Sequence, residues 1–151
     1  MEQATFQIGN ILPIVGTHHY EARICDLYCG LGVMVHILRD AWYENVIGID
    51  DSPAVTAYWE DAKGLLFDNP LDTVNSDNSF DLVTCFDGSR TTDHKGLLKE
   101  MARISRSTIL FRPDSENNPS LHDETLRLIL SEGLRLTKHN PVHGWYQIEV
   151  T

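Results

Sequence analysis

Two aspartates and a pair of glycines are spaced in a way that could bind a nucleoside. Asp26 lies four residues before Gly30, Gly32 follows, and Asp50 ends the apolar run 46–49. A glycine lets backbone amides approach a ligand closely because it has no Cβ. An aspartate at the carboxyl end of a strand can accept hydrogen bonds from both hydroxyls of a ribose. The spacing therefore indicates a nucleoside-binding α/β unit.

The same glycine pattern argues against a dinucleotide site. The dinucleotide fingerprint has a third glycine three residues after the second, and Val35 stands at that position. An acid beside the turn also disfavours a phosphate, because phosphate binding gains from helix N-terminal amides without a competing acid. The pattern therefore argues against a dinucleotide.

Asp87 and His94 are the candidates for proton transfer. Both follow the apolar run 80–86, at the end of a strand where open α/β sheets bind substrates. Either side chain could orient an acceptor or remove its proton. The alternatives are that Asp87 is only a turn residue before Gly88, and that His94 only begins a helix.

The three cysteines are expected to be reduced thiols without a metal. Cys25 and Cys29 are one residue too far apart for a C-x-x-C pair, and no second pair could complete a zinc site. Cys85 is weighed as a nucleophile, but no basic neighbour would lower its pKa, so a buried structural role is favoured. All three cysteines suit a cytosolic protein.

The alternation of apolar runs with helical patterns predicts seven strands. They are expected at 23–27, 45–50, 65–67, 80–86, 107–111, 134–137 and 145–150. Helices are expected at 32–42, 53–63 and 93–104, and between a cap at Ser120 and a stop at Gly133. The connection 139–144 is too short for a crossover helix, which requires a hairpin. The expected fold class is α/β, a Rossmann-like, mostly parallel sheet with helices on both faces and an antiparallel C-terminal hairpin.

Several side chains have predicted structural roles within these elements. Ser52 and Ser120 are expected to cap the helices that follow them, with Asp123 completing a capping box. Trp42 and Trp59 are expected in the core or in helix packing, and Leu126, Ile129 and Leu130 are expected to form one buried helix face.

Length and charge limit the partners. A chain of 151 residues is expected to form one domain, with 1–22 as an N-terminal segment and 23–151 as the core. Twelve basic against 22 acidic residues give a net charge of −10, which argues against nucleic acid and favours a small molecule or a protein segment. The sequence has no membrane-spanning run and no signal-peptide pattern, so a cytoplasmic location is predicted. A homodimer and a partner subunit both stay open.

From about Arg23 to Val150, the chain resembles the class I S-adenosylmethionine (SAM)-dependent methyltransferases. The segment 26–32 (DLYCGLG) resembles their first motif, 46–53 the second, and 77–83 (DNSFDLV) the entry to their fourth strand. Tyr28 departs from the family by replacing the first of three glycines. The segment 106–108 departs by replacing a Pro-Gly-Gly turn.

This resemblance implies a cofactor, a reaction and a set of residues. The cofactor would be SAM, the product S-adenosylhomocysteine (SAH), and the reaction methyl transfer to a small molecule or a protein. The implied cofactor-binding residues are Asp26, Tyr28, Cys29, Gly30, Gly32, Asp50, Asp51, Asp68, Asn69 and Phe86. One alternative is a non-catalytic binding module with a degenerate methyltransferase fold. A weaker one, suggested only by the DLYCG wording, is an RNA methyltransferase.

Overall fold

One seven-stranded sheet organises the protein, in a computed structural model that describes residues 15–59 and 63–150. The strands are β1 Ile24–Leu27, β2 Val46–Asp50, β3 Leu65–Phe67, β4 Phe80–Cys85, β5 Ser105–Phe111, β6 Arg135–Asn140 and β7 Trp145–Glu149. The helices are α1 Val33–Asp40, α2 Pro53–Thr56, α3 His94–Ile104 and α4 His122–Ser131, with 3₁₀ turns at Gly88–Arg90 and Pro119–Leu121. The predicted N-terminal segment 1–22 lies mostly outside the described residues.

The strand order confirms the predicted fold class. The order is β3-β2-β1-β4-β5-β7-β6, with parallel pairing from β3 to β5 and antiparallel pairing of β7 to both of its neighbours. The chain runs outward from β1 to β3 and then returns to place β4 on the other side of β1. Loops that leave β1 and β4 therefore diverge at one edge of the sheet, and open a crevice there.

A hydrophobic cluster on each side of the sheet holds the helices in place. Leu97 and Met101 of α3 and Ile129 of α4 are fully buried in one cluster, and Val35 and Leu38 of α1 are fully buried in the other. Strand residues alternate between the clusters, as a pleated strand requires. The result is a strand framework that is fixed on both faces.

Several predicted boundaries were wrong. Helix α2 ends at Thr56 instead of reaching 63, and residues 60–62 lie outside the described residues. Strand β6 extends to Asn140, because its backbone continues to pair with β7 as far as Trp145. The hairpin connection is correspondingly shorter than the sequence pattern suggested.

Both predicted serine caps were also wrong. The Ser52 side chain makes no capping bond, and its backbone amide instead donates to the Asp50 carboxylate over 3.0 Å. Ser120 lies within a 3₁₀ turn that is capped by Asn118, and α4 begins two residues later without a side-chain cap. A serine cap accepts an amide of the first helical turn. The Val55 amide instead donates to the Ser52 carbonyl over 3.1 Å, and the Ser120 hydroxyl instead donates to the Asn118 side chain over 2.6 Å.

Two predicted core residues are exposed. Trp42 is 75% exposed, since α1 ends at Asp40 and the chain turns outward through a positive φ of 77° at Trp42. Tyr43 is buried in its place and donates its hydroxyl to the Val15 carbonyl over 3.1 Å. Leu130 is 74% exposed, while Ile129 beside it is fully buried.

Candidate cofactor-binding site

The turn after β1 is built on three left-handed backbone positions. Tyr28, Gly30 and Gly32 have φ angles of 56°, 60° and 84°. A Cβ on Gly32 would come within 2.7 Å of the Leu65 side chain, so this glycine allows close packing. A Cβ on Gly30 would meet no atom within 4 Å, so Gly30 borders open space. The open side of the turn therefore lies at Gly30.

The Asp50 carboxylate links this turn to the end of β2. Asp50 is fully buried, and its Oδ2 accepts the Gly30 amide over 2.9 Å. Its Oδ1 accepts the Ser52 amide over 3.0 Å. Two backbone amides from separate loops thus fix the orientation of one carboxylate. Trp59 supports the same turn, because its indole N–H donates to the Gly30 carbonyl over 2.9 Å.

Arg90 forms a bidentate ion pair with Asp50. Its Nη2 lies 2.8 Å from Oδ1 and its Nη1 lies 3.0 Å from Oδ2. The guanidinium also stands 5.4 Å from the centre of the Tyr28 ring, in a cation–π arrangement. The sequence analysis missed Arg90; its only signal was a basic side chain in the loop after β4.

Asp26 lies nearby as a buried acid, and among residues 15–59 and 63–150 its side chain is hydrogen-bonded to a neutral partner. It is 5% exposed, and the Thr84 hydroxyl donates to its Oδ1 over 2.7 Å. Burial raises the pKa of Asp26 to about 7; the Thr84 hydrogen bond opposes this rise, and the negative charge of Asp50 adds to it. Asp26 and Thr84 are direct neighbours in the register of β1 and β4. The side chain can therefore carry or lose a charge near neutral pH.

Three other predicted cofactor-binding residues, near Asp26 and Asp50 in sequence or after β4, differ in how far they are buried. Cys29 is half-buried, and burial raises the pKa of its thiol. Asp51 is exposed beside Asp50. Phe86 follows β4 and is 8% exposed, and its carbonyl accepts the Arg112 Nε over 2.8 Å.

Asp68 and Asn69 organise the loop after β3. The two Asp68 oxygens accept the amides of Asn69 and Val74 over 2.8 and 2.9 Å. The Asn69 side chain accepts the Leu71 amide over 3.0 Å. The Asp68 amide in turn donates to the Asp50 carbonyl over 3.3 Å, which ties this loop to the end of β2. Both side chains thus hold their own loop beside the site.

The candidate catalytic residues flank the turn Gly88–Arg90 without a shared hydrogen bond. Asp87 accepts a short hydrogen bond from the Ser89 hydroxyl. The Nε2 of His94 lies 2.9 Å from the Gly88 carbonyl. A carbonyl can only accept, so Nε2 carries a proton, and in the neutral ring the lone pair is then on Nδ1 of His94. His94 also begins α3, as its alternative interpretation expected.

A cavity of about 330 Å³ lies beyond the end of β5. His122 Nδ1 is 2.7 Å from the Tyr146 hydroxyl, and the His139 ring stacks on the Tyr146 ring at 4.3 Å. The cavity is lined by Pro113, Asn117, Asn118, Pro119, His122, His139, Pro141, Gly144 and Tyr146. Among the described residues, its lining contains rings, prolines and asparagines and no lysine, arginine or carboxylate.

Residues 15–59 and 63–150 contain neither a metal-binding cluster nor a membrane-spanning helix. No group of three or more His, Cys, Asp or Glu residues is arranged to hold a metal ion there. Within the same ranges, no helix has the length and apolar character needed to cross a membrane. All three cysteines are free thiols.

A comparison with protein-family models identifies the family. The model described as a methyltransferase domain matches residues 25–108, more than half of the chain. The chain belongs to the class I SAM-dependent methyltransferases. A comparison with curated proteins finds no match.

Solved methyltransferase structures share the fold of this family member. It is similar to a SAM-dependent methyltransferase from Aquifex aeolicus, with 16% identity and a TM-score of 0.74 over 95% of this chain and 89% of that chain. It is also similar to magnesium protoporphyrin IX methyltransferase from Synechocystis PCC 6803 with bound SAM, with 11% identity and a TM-score of 0.73 over 99% and 80% of the two chains. At these identities the likeness establishes the fold.

A third similar structure contains two proteins. It is the complex between the Haloferax volcanii Trm112 methyltransferase activator and the putative methyltransferase, with 16% identity and a TM-score of 0.71 over 86% of this chain and 82% of that chain. That protein pair shows one arrangement in which a methyltransferase fold is bound to a second subunit.

Proposed function

We propose that the chain binds SAM across the carboxyl ends of β1 and β2 and transfers its methyl group to an acceptor held near β4 and β5. The Asp50 carboxylate carries the proposal. It is fully buried, is oriented by the amides of Gly30 and Ser52, and stands beside the open space at Gly30. A fixed carboxylate at the end of a strand next to an uncrowded glycine suits a ribose with two hydroxyls.

The other predicted cofactor-binding residues would contact different parts of SAM. Asp26 would bind the methionine ammonium group, because it is buried and its described hydrogen bond comes from the neutral Thr84 hydroxyl, which leaves its charge to be balanced by a cation. Asp68 and Asn69 would lie at the adenine edge, since their loop is tied to the end of β2. The polypeptide at Tyr28, Cys29 and Gly32 would shape the turn, and Asp51 and Phe86 would border it.

Bound SAM would supply a methyl group made electrophilic by the sulfonium. The protein would align the acceptor for in-line attack, which is the main requirement of such a transfer. His94 would receive the acceptor proton at Nδ1, because its Nε2 is held by the Gly88 carbonyl. Asp87, at the other end of the turn Gly88–Arg90, would orient the acceptor.

A small molecule fits the proposed acceptor site better than a macromolecule. The cavity beyond β5 measures about 330 Å³, the lower end of the range for small-molecule pockets. Pro113 forms part of its wall and also lies against Gly88, where a Cβ would come within 2.7 Å of the Pro113 backbone. The cavity therefore adjoins the turn that carries Asp87 and leads to His94.

Calorimetric titration with SAH tests the cofactor assignment. Asp50→Ala should weaken binding at least 100-fold, because both ribose hydroxyls lose a charged acceptor. Asp40→Ala is the matched control, since Asp40 is an exposed acid at the end of α1, and it should bind like the wild type. Absence of binding heat from the wild type with both SAM and SAH would overturn the proposal.

A non-catalytic binding module is the second candidate. Two observations favour it. Asp50 is paired with Arg90, and Asp87 and His94 are hydrogen-bonded to Ser89 and Gly88 within their own loop, so each polar group already has a partner. Cofactor binding with no methyl transfer to small-molecule or protein extracts would support this candidate. The RNA reading would require RNA binding that weakens steeply with salt, which a net charge of −10 opposes. A homodimer or a partner subunit that completes the acceptor site, and a cytoplasmic location, stay predictions.

A further inference from the structure

The Asp50 carboxylate has a full set of hydrogen-bond donors before any ligand is considered. Each oxygen accepts one backbone amide, from Gly30 or Ser52, and one guanidinium N–H from Arg90. A carboxylate offers about four acceptor positions in total. A ribose that uses Asp50 must therefore replace two of the existing donors.

The two backbone donors are poor candidates for replacement. The amides of Gly30 and Ser52 belong to the loops that position β1 and β2, so their loss would disturb the site itself. Arg90 is different, because its side chain is 24% exposed while that of Asp50 is fully buried. Its two N–H groups also form a pair side by side, as do the two hydroxyls of a ribose.

We propose that Arg90 gates the cofactor site by occupying the two acceptor positions of Asp50 that the ribose hydroxyls take in the complex. The inference rests on the proposed function, because it assumes that Asp50 binds the ribose. Cofactor binding is then an exchange in which two guanidinium N–H donors leave and two hydroxyl donors arrive. The protein with Arg90 on Asp50 is the closed state.

The surroundings of Arg90 allow its side chain to leave while the backbone stays. The turn Gly88–Arg90 is anchored because the Gly88 amide donates to the Arg112 carbonyl over 2.9 Å. Gly88 also packs so tightly that a Cβ would lie 2.7 Å from that carbonyl oxygen. A change of side-chain rotamer is therefore the expected motion, with the turn in place.

A released Arg90 would not lack partners. Burial lowers the pKa of Arg90, but the hydrogen bonds and charge of Asp50 outweigh it, and the charges of Asp87 and Asp51 raise the pKa further. Those two acids lie outside the Asp50 pair and are more exposed than Asp50. The Tyr28 ring, 5.4 Å from the guanidinium, offers a further contact at the mouth of the site.

The gate lowers the apparent affinity for the cofactor. When only a fraction of molecules is open, the dissociation constant rises by the inverse of that fraction. An open population of roughly 1–10% would weaken binding by about 10- to 100-fold. Removal of the Arg90 donors should abolish this penalty.

Arg90→Met is the main test, because methionine keeps an apolar stem against Tyr28 but cannot donate to Asp50. SAH titration at matched temperature should give about 10- to 100-fold tighter binding than the wild type. Arg106→Met is the matched control, since Arg106 pairs with Asp81 at the opposite end of the strands, and its affinity should not change.

Stopped-flow binding followed by Trp59 fluorescence provides a second measurement. The wild-type rate should level off at high SAH concentration if opening limits it, whereas the Arg90→Met rate should stay linear. Arg90→Met could be less stable than the wild type. Thermal melting of the variant with and without SAH shows whether its folded fraction binds SAH.

The outcomes separate this inference from the proposed function. If the wild type binds SAH and folded Arg90→Met binds it with equal or weaker affinity, the gate is overturned while the cofactor site stands. Absence of SAH binding in both proteins would overturn the proposed function itself. Tight binding in Arg90→Met together with weak binding in the wild type supports both.

Discussion

Asp26 is the residue whose charge is expected to control cofactor affinity. Burial raises the pKa of Asp26 to about 7, with the Thr84 hydrogen bond in opposition and the charge of Asp50 in addition. The protonated form therefore prevails in the folded protein below that pH. An ammonium group prefers the ionised form, so ligand binding should lower the pKa and release a proton.

The resulting pH dependence can be measured directly. SAH affinity should rise by up to about tenfold between pH 6 and pH 8, because the ionised fraction of Asp26 rises across that range. Titrations at pH 6 in buffers of different ionisation enthalpy should show proton release. Asp26→Asn should bind more weakly at pH 8 and show neither effect; proton release that persisted in Asp26→Asn would assign it to another group.

Tyr28 combines a strained backbone with a useful side chain. It has a φ of 56°, yet the residue is 9% exposed and its ring lies 5.4 Å from the Arg90 guanidinium. A left-handed conformation costs a non-glycine residue about 1–2 kcal/mol. Burial of the aromatic ring contributes more than this, which explains how the position tolerates tyrosine.

Two substitutions at Tyr28 separate strain from burial. Tyr28→Ala and Tyr28→Gly both remove the ring, but only Ala keeps the left-handed strain. Urea unfolding should therefore show both variants to be less stable than the wild type, with Gly about 1 kcal/mol more stable than Ala. The reverse order would contradict a left-handed backbone at this position.

At the scale of elements, a buried ion pair fastens the loop before β4 to helix α3. Glu100 of α3 is 5% exposed and accepts the amide and hydroxyl of Thr73, each over 2.7 Å. Arg103, one turn further along, donates to both Glu100 oxygens over 2.7 Å and reaches Asp77 over 2.9 Å. The loop thus has a fixed position although it contains little regular structure.

Glu100→Gln tests this fastening and its response to acid. Burial raises the pKa of Glu100, but hydrogen bonds from Arg103 and Thr73 lower it below its ordinary value overall. The stabilisation by Glu100 is therefore present above about pH 4.5 and is lost as the pH falls through the lower folded-state value. The variant should lose about 1–3 kcal/mol at pH 7.

Urea unfolding from pH 7 down to pH 3 measures this effect. The difference in free energy of unfolding between the wild type and Glu100→Gln should narrow as the pH falls. Glu124→Gln, at an exposed acid in the first turn of α4, is the control and should stay close to the wild type throughout. A constant gap at every pH would show that the charge of Glu100 does not contribute.

The sequence predicted the helices, strands and turns better than it predicted which distant side chains contact each other. The turn at Gly30 and Gly32 and the position of Asp50 at a strand end follow from local pattern. The pairing of Asp50 with Arg90 does not, because 40 residues separate them and only the return of the chain through β4 brings them together. The Thr84 partner of Asp26 likewise depends on the register between β1 and β4, which no local pattern specifies.

The wrong helix caps have a related cause. Ser52 and Ser120 are favourable cap residues locally, but the Val55 amide donates to the Ser52 carbonyl and the Ser120 hydroxyl donates to the Asn118 side chain. Which acceptor a first-turn amide reaches depends on backbone geometry, which a sequence pattern does not supply. The exposure of Trp42 has the same origin, since it depends on the left-handed turn after α1.

For the whole molecule, the strand order places the site at the point where the chain reverses direction across the sheet. β2 and β3 lie on one side of β1, and β4 and β5 lie on the other. Asp50 and Arg90 come from opposite sides of this division, and the Asp26 of β1 lies between them in the sheet. A ligand at the site would therefore contact both halves of the sheet and stabilise them together.

This placement predicts one cooperative response to SAH. At a concentration 100 times the dissociation constant, binding should stabilise the fold by about 2.7 kcal/mol, equivalent to a Tm increase of about 5–10 °C for a chain of this size. Fluorescence from Trp59, beside the Gly30 turn, and from Trp145, buried in β7, should shift by the same amount in single-tryptophan variants. Asp50→Ala, with its affinity lowered at least 100-fold, should gain at most about 0.4 kcal/mol, or about 1–2 °C, at that SAH concentration. A Tm increase seen by Trp59 alone would contradict coupling across the sheet, because it would confine the effect of the ligand to the half that contains β1 and β2.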